Sequence, residues 1–366
     1  ASLVKERIEN LFETVKRKYR DVLDQNEEIN LDPKSLVFTI GILQDYCLMD
    51  SARDAVADAF ETFIGPSLKG DKGQFFTPRN VVQMMVEILD PNEQEIVIDP
   101  ACGSGGFLVE SMRYVWKKLE EDAKKYSWTD ENLKEEQLKF AISKIRGIEK
   151  DDFLAKLSKA YMAILGDGSS KIFVEDTLEN PDNWKKETQQ EVSLGKYEVL
   201  LANPPFGKNL KVSGSEKLGQ YDLAYSWKIK DDKFVKNKLK KDVPPQFLFI
   251  ERCLDLVQDE GRLAIVLPDG IFGNEQTSYI RRWLLEKAQI IAIIDIPLET
   301  FLPNTGTKTS VIILKKTSKI PNNYPIFMHV AEYCGHDRRG KKIEQDDIPN
   351  ISILFHKWKK ENKVSF

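Results

Sequence analysis

The 366-residue sequence has little of what several large protein classes require. Its four cysteines, Cys47, Cys102, Cys253 and Cys334, are far apart and show no paired spacing. That excludes a disulfide framework and a zinc site of the usual pattern, and it fits a reducing cytoplasm. Only three histidines occur, His329, His336 and His356, all near the C-terminus and outside every glycine-rich or proline-rich motif. Neither histidine catalysis nor a metal centre is expected. No apolar run approaches the about 20 residues of a bilayer span, and the opening stretch with Lys5, Glu6, Arg7 and Glu9 is too charged for a secretory signal. No membrane partner is expected. Helical patterning begins at once from Ala1, which predicts that the natural chain starts earlier. Basic charge is also missing: the formal net charge is −4, whereas a chain that binds nucleic acid alone normally presents a basic surface. A nucleic-acid substrate would therefore call for a partner. One local exception is the crowd of Lys228, Lys230, Lys233, Lys236, Lys238, Lys240 and Lys241, which fits a solvated surface loop and a phosphate contact equally well.

What is present reads as an ordinary globular protein, 41% hydrophobic and 31% charged, long enough for one large domain and a smaller companion. Up to about Ile64, apolar residues such as Ile8, Leu11, Phe12, Val15, Val37, Ile40, Leu43, Val56, Phe60 and Phe63 recur at helical spacing, predicting a small helical domain over residues 1–68. Gly65-Pro66 and the run Lys69-Gly70-Asp71-Lys72-Gly73 make a linker. Beyond it, β-branched runs at Glu95–Ile98, Lys144–Ile148, Lys171–Val174, Tyr197–Leu201, Arg262–Leu267 and Ile290–Ile294 alternate with amphipathic helices. That alternation predicts an α/β fold with a mostly parallel sheet. A seventh run, Thr309–Leu314, follows too closely for a crossover helix and should pair antiparallel. The main domain is placed at 69–325, with 326–366 as a C-terminal tail.

The first strand runs into Asp99-Pro100-Ala101-Cys102-Gly103-Ser104-Gly105-Gly106-Phe107 and then an apolar-periodic helix. Glycines there let the backbone turn sharply and approach a ligand where doubly wound sheets bind nucleotides, although a dinucleotide site or a plain tight turn has the same look. Glu149, ending the second strand, is positioned to accept hydrogen bonds from both hydroxyls of a ribose. Asp176, after the third, is positioned to accept an adenine amine. Alone, each acid is equally a helix cap or a surface residue; their order and spacing favour the site. The segment lacks the Gly-Lys-Ser/Thr ending that holds a triphosphate, so no nucleoside-triphosphate motor is expected.

The buried strand Tyr197–Ala202 ends in Asn203-Pro204-Pro205-Phe206. An aromatic or amide amine is a poor nucleophile because its lone pair is delocalised. Two acceptors, the Asn203 side-chain oxygen and the Pro204 carbonyl, would draw its nitrogen towards sp3 geometry and aim the lone pair at an electrophilic methyl, with no general base. The prolines fix the backbone torsions, and Phe206 offers a face to a planar group. The tetrapeptide thus points to amine methylation and leaves the carrier of the amine open among DNA, RNA and protein.

At these motifs the sequence resembles the amino-methyltransferases of DNA, most closely the methylation subunits of type I restriction-modification systems, over about residues 73 to 340. Gly73-Gln74-Phe75-Phe76-Thr77-Pro78-Arg79 is similar to the family's phenylalanine-threonine-proline element, which contacts the methionine end of S-adenosylmethionine. The resemblance implies a Rossmann-like class I methyltransferase with a seven-stranded sheet. It implies that Gln74, Phe75, Phe76, Thr77, Pro78, Arg79, Asp99, Ala101, Ser104, Gly105, Gly106, Glu149 and Asp176 bind the cofactor. Asn203 to Phe206 would hold a flipped adenine, and Phe301, in Thr300-Phe301-Leu302-Pro303, would stack on it, although a buried loop anchor fits Phe301 as well. Site-specific N6-adenine methylation of double-stranded DNA follows as the expected activity, in a prokaryotic cytoplasm. The alternatives are an N5-glutamine protein or guanine RNA methyltransferase, which rarely carry the Phe-Phe-Thr-Pro element, and a non-enzymatic assembly subunit. Gly335-His336-Asp337-Arg338-Arg339-Gly340 resembles a basic turn of these subunits, but no target-recognition domain follows. Recognition is expected from a separate specificity subunit or from chain beyond this sequence, and a restriction subunit is a further expected partner.

Overall fold

A computed structural model describes residues 1–20, 22–45, 77–165, 171–207, 210–231, 233–302 and 305–365. All of the predicted linker, the apolar residues Val56, Phe60 and Phe63, and Gln74, Phe75 and Phe76 of the expected cofactor set lie outside the described residues. Two N-terminal helices are described, α1 (Ser2–Lys18) and α2 (Pro33–Leu43). Asp32 caps α2 by accepting hydrogen bonds from the Lys34 and Ser35 amides, with Pro33 at the first helical position, where its missing N–H costs nothing.

Eight strands form the main sheet: β1 (Val97–Asp99), β2 (Ile145–Glu149), β3 (Ile172–Val174), β4 (Tyr197–Ala202), β5 (Val257–Pro268), β6 (Ala288–Asp295), β7 (Thr309–Lys316) and β8 (Phe327–Val330). Their order is β8-β6-β7-β5-β4-β1-β2-β3, and β7 alone runs antiparallel to its neighbours, as its short connection requires. Alternation along the strands feeds two cores. Val97, Val199, Leu201, Ala264, Val266, Val311 and Ile313 face one; Ile98, Leu200, Leu263, Ile265, Leu267, Ile312 and Leu314 face the other. Each such Leu, Ile or Val withdrawn from water contributes about 1.5–3 kcal/mol, so a charge at Leu201 or Ile265 would break a layer.

Helices α3 (Arg79–Leu89), α4 (Gly106–Tyr126), α5 (Asp130–Lys144) and α6 (Asp152–Leu165) cover the first core; α7 (Pro245–Leu256) and α8 (Ser278–Lys287) cover the second. A last helix, α9 (Ile348–Glu361), returns to the first.

Two segments differ from expectation. The stretch 326–366 is not a loose tail: β8 adds an eighth strand parallel to β6, and α9 buries Ile348, Ile351 and Phe355 in the core that holds Val81 and Met85 of α3. The lysine-rich stretch is not an irregular loop but a two-stranded antiparallel hairpin, Tyr225–Lys230 against Lys233–Leu239. Its register puts Trp227, Ile229 and Phe234 on one face and Lys228 and Lys230 on the other, a period of two that the abundance of lysine masks.

Candidate active site

The carboxyl ends of β1, β2 and β4 and the turn after β3 converge on a cavity of about 390 Å³, a size suited to a nucleoside-sized ligand. Its wall includes Ala101, Gly103, Glu149, Asp176 and all of Asn203-Pro204-Pro205-Phe206. The residues singled out at four separate strand ends thus meet around one space. This is the crevice that the strand order of a doubly wound sheet opens.

The turn after β1 is tied together by its own polar groups. The Asp99 carboxylate accepts the Ala101 amide at 3.0 Å, and the Glu149 carboxylate accepts the amides of Gly103 at 2.8 Å and Asp151 at 2.9 Å. Gly105 has φ 89°, and a Cβ there would overlap the Ser158 hydroxyl, so only glycine fits. Asp99 itself is 1% exposed and stands behind the cavity wall, as do Ser104, Gly105 and Gly106. Burial pushes Asp99 up to about 8; the Ala101 amide pulls it down and the Glu149 charge pushes it further up. Burial also raises Glu149 above its ordinary value, against the downward pull of the Asp151, Gly103 and Lys150 amides. Each oxygen of Glu149 accepts one amide and keeps a further lone pair for a ligand.

Asp176 accepts the Leu178 amide on one oxygen and the ammonium groups of Lys150 and Lys217, both at 2.9 Å, on the other. Burial alone would raise its carboxyl, but Lys217 and Lys150 outweigh that and hold it below the usual range. An adenine amine reaching Asp176 would find one lone pair left on Oδ1, which accepts only the Leu178 amide, whereas Oδ2 is taken by the two lysines. Lys150, 74% exposed at its side chain, is the freer of the two, since Lys217 is also paired with Glu179 at 2.7 Å.

Asn203 shows the most informative geometry. Its Nδ2 donates to the Thr77 hydroxyl oxygen at 2.9 Å, while its Oδ1 is buried and has no hydrogen-bond partner. A buried acceptor left without a donor costs about 1–3 kcal/mol; among the described residues Ser111, Ser158, Gln246, Thr300 and Thr309 also carry an unpartnered buried polar atom, but only Asn203 belongs to the motif that lines the cavity. The vacant valence belongs to the oxygen that amine activation requires. Thr77, expected among the cofactor contacts, thus reaches the amide of the reaction site. It also lines a small cleft with Arg79, Gly106, Glu110 and Arg113, while Pro78 caps α3.

Phe206 lines the cavity, but its ring meets that of Phe301 edge to face, with centroids 6.1 Å apart and planes at 87°. A base sandwiched between two parallel rings needs about 7 Å between them. In this arrangement the pair leaves no slot, and Phe301, 2% exposed, is the buried anchor of its turn rather than an open stacking surface. The lysines at Asp176 and the Thr77–Asn203 bond were not foreseen. The latter joins positions 126 residues apart, which no local pattern reports.

Among the described residues no group of three or more His, Cys, Asp or Glu could hold a metal ion, and no helix is long and apolar enough to cross a membrane.

Residues 51–366 match the protein family described as N-6 DNA Methylase. The methylase subunit of the type I restriction enzyme EcoEI from Escherichia coli is 29% identical over 257 residues, covering 68% of this chain and 43% of its own length. The corresponding MjaVII subunit from Methanocaldococcus jannaschii is 25% identical over 315 residues, covering 83% of this chain and 48% of that one. The chain spans about half the length of these curated relatives. In fold it is similar to the crystal structure of a type I restriction-modification methyltransferase subunit from Streptococcus thermophilus, with TM-score 0.59, 21% identity and coverage of 94% of this chain and 67% of that one. The sheet is that of a class I methyltransferase, with an eighth strand added at one edge.

Proposed function

Because the chain belongs to the N-6 DNA methylase family, we propose that it transfers the methyl group of S-adenosylmethionine to N6 of adenine in double-stranded DNA. It acts as the catalytic subunit of a restriction-modification system in the prokaryotic cytoplasm. The observation that carries this reading is that Asn203, Pro204, Pro205 and Phe206 together line a nucleoside-sized cavity, with the Asn203 Oδ1 buried and unpartnered.

The residues present fit the cofactor. Glu149 keeps lone pairs that would accept ribose hydroxyls, Ala101 and Gly103 present backbone at the wall, and Asp176 Oδ1 keeps a lone pair that would accept the adenine amine. When bound, S-adenosylmethionine supplies an electrophilic methyl on sulfur. The chain supplies two fixed acceptors. Asn203 Oδ1 and the Pro204 carbonyl each take one N–H of the adenine amine, which frees its lone pair to bond the methyl carbon. The two acceptors hold the N–H groups without taking a proton, so the surplus proton on the methylated nitrogen would pass to water.

Flipping an adenine out of a duplex costs a few kcal/mol, and a chain of net charge −4 offers little general attraction to phosphate. A DNA-specificity subunit, and with it a restriction subunit, completes the proposed assembly. The test follows radiolabelled methyl from S-adenosylmethionine into DNA, RNA or protein, with and without a specificity subunit, and identifies the product. N6-methyladenine is expected, in DNA only, and Asn203→Ala should abolish it while cofactor affinity stays within about twofold. Label in glutamine or guanine, or full activity of Asn203→Ala, would overturn the assignment.

A further inference from the structure

Between the Asn203 motif and α7 the chain makes an insertion rooted at the cavity. Lys211, Val212, Ser213 and Lys217 line the wall, and the two-residue strand Val212–Ser213 pairs with Asp242–Val243. From that root the lysine hairpin extends. Residues 228–241 hold seven lysines against two aspartates, in a chain that is acidic as a whole.

These lysines fall into two groups. Lys236 pairs with Asp222 at 2.7 Å and covers the Tyr225 ring; Lys240 donates to the Tyr279 hydroxyl at 2.8 Å and covers that ring. Lys240 and the stack of Trp227 on Tyr279, centroids 6.3 Å apart, fasten the hairpin to α8, while Lys236 ties it to the turn that precedes it. Lys228, Lys230, Lys238 and Lys241 are exposed, and none is in an ion pair among the described residues. Lys228 and Lys230 stand about 7 Å apart on the outer face, and Lys238 follows at a bulge that the Ser226 hydroxyl holds through both the Lys238 amide and carbonyl at 3.1 Å. The result is a rigidly seated arm with a row of uncompensated positive charge.

We infer that this arm is a phosphate-contacting surface that grips the backbone of duplex DNA, independently of sequence, beside the cavity that takes the flipped base. The inference rests on the proposed DNA substrate. Charge complementarity selects the occupant: a backbone with one negative charge per about 1.7 Å suits a row of free ammonium groups. The hairpin supplies locally the attraction that the net charge denies.

The experiment measures anisotropy of a fluorescent 30-bp duplex of mixed sequence with the full chain, from 50 to 250 mM salt. Each lost phosphate contact lowers the slope of log K against log salt by about 0.9. The triple variant Lys228→Gln, Lys230→Gln, Lys238→Gln should flatten the slope by about 2–3 and weaken binding at 100 mM by about 10–100-fold, with S-adenosylmethionine affinity unchanged. A control set, Lys124→Gln, Lys125→Gln, Lys134→Gln, on helices α4 and α5, should leave the slope alone. A triple variant with the wild-type slope, while wild type still methylates adenine, overturns the arm only; lysines serving an acidic protein surface would give that result. A wild-type chain that needs the arm to bind DNA but methylates only RNA or protein overturns the substrate reading only. No salt-dependent DNA binding by wild type at 50 mM overturns the arm, while the substrate reading is decided separately by methyl transfer in the presence of the specificity subunit.

Discussion

Replacing Thr77 by Val separates two roles that this residue could have at the same place. In the structure its hydroxyl oxygen accepts the Asn203 Nδ2 at 2.9 Å, so the amide that must present Oδ1 to the substrate is held from behind. Valine keeps the shape and removes the acceptor. The buried N–H then has no partner, and the amide loses the contact that keeps its oxygen forward. The loss is about 1–2 kcal/mol in the transition state, which corresponds to about a 5–30-fold fall in kcat. Because Thr77 acts through Asn203, the KM for S-adenosylmethionine should move less than about threefold, and Thr77→Ser, which restores the hydroxyl, should return kcat to within about twofold. The assay is initial-rate methyl transfer at saturating DNA with the cofactor varied, alongside calorimetric cofactor binding. A Thr77→Val variant with wild-type kcat and a cofactor Kd raised tenfold or more would refute positioning and restore a plain cofactor contact.

Asp99→Asn should stabilise the fold with a specific pH signature. The buried carboxyl of Asp99 is raised from 3.8 to about 8, so the folded state binds the extra proton and wild-type stability falls as pH rises across that window. The gain from Asn should be absent near pH 4, grow to on the order of 3–5 kcal/mol by pH 8 and then level off, read as the difference in chemical denaturation between the two proteins; a gain that shrinks with rising pH contradicts it. Phe301→Ala should cost about 3–5 kcal/mol in stability through the cavity it leaves against Phe206, seen as a fall in Tm, whereas loss of DNA KM at an unchanged Tm would show an open stacking residue instead.

The parts of the fold that could be read from sequence were those with a local period. β1 to β7 each show a β-branched run, and the sheet order follows once β7 is seen to lack a crossover. β8 escaped because it is a four-residue edge strand after Pro325 whose Met328 and Val330 point to solvent, so its alternation looks like loop. α9 did carry a signal, Ile348, Ile351 and Phe355 at helical spacing, but no neighbouring motif drew attention to it. Within the site, the strand-end acids and the Asn203 motif were legible because each closes a strand at the same edge. Which residue holds Asn203, which lysines occupy Asp176, and that Phe301 turns its edge to Phe206 are facts of side-chain direction between distant segments. No pattern along the chain reports them.

The C-terminal segment also explains how an exposed-looking stretch can matter to chemistry far away in sequence. Thr77 sits just before α3, and α3 is gripped from behind. The Asn80 amide donates to the Cys334 carbonyl at 3.0 Å and to the Asp346 carboxylate at 2.9 Å, while His356 meets the Glu87 carbonyl at 2.8 Å. A buried acceptor without a partner is a local cost of about 1–3 kcal/mol, and a lone side chain would rotate away from it. Asn203 is prevented from doing so by Thr77, Thr77 is placed by α3, and α3 is placed by the strand and helix of residues 326–366. A chain of contacts thus runs from the Asn203 amide through Thr77 and α3 to residues 334 and 346.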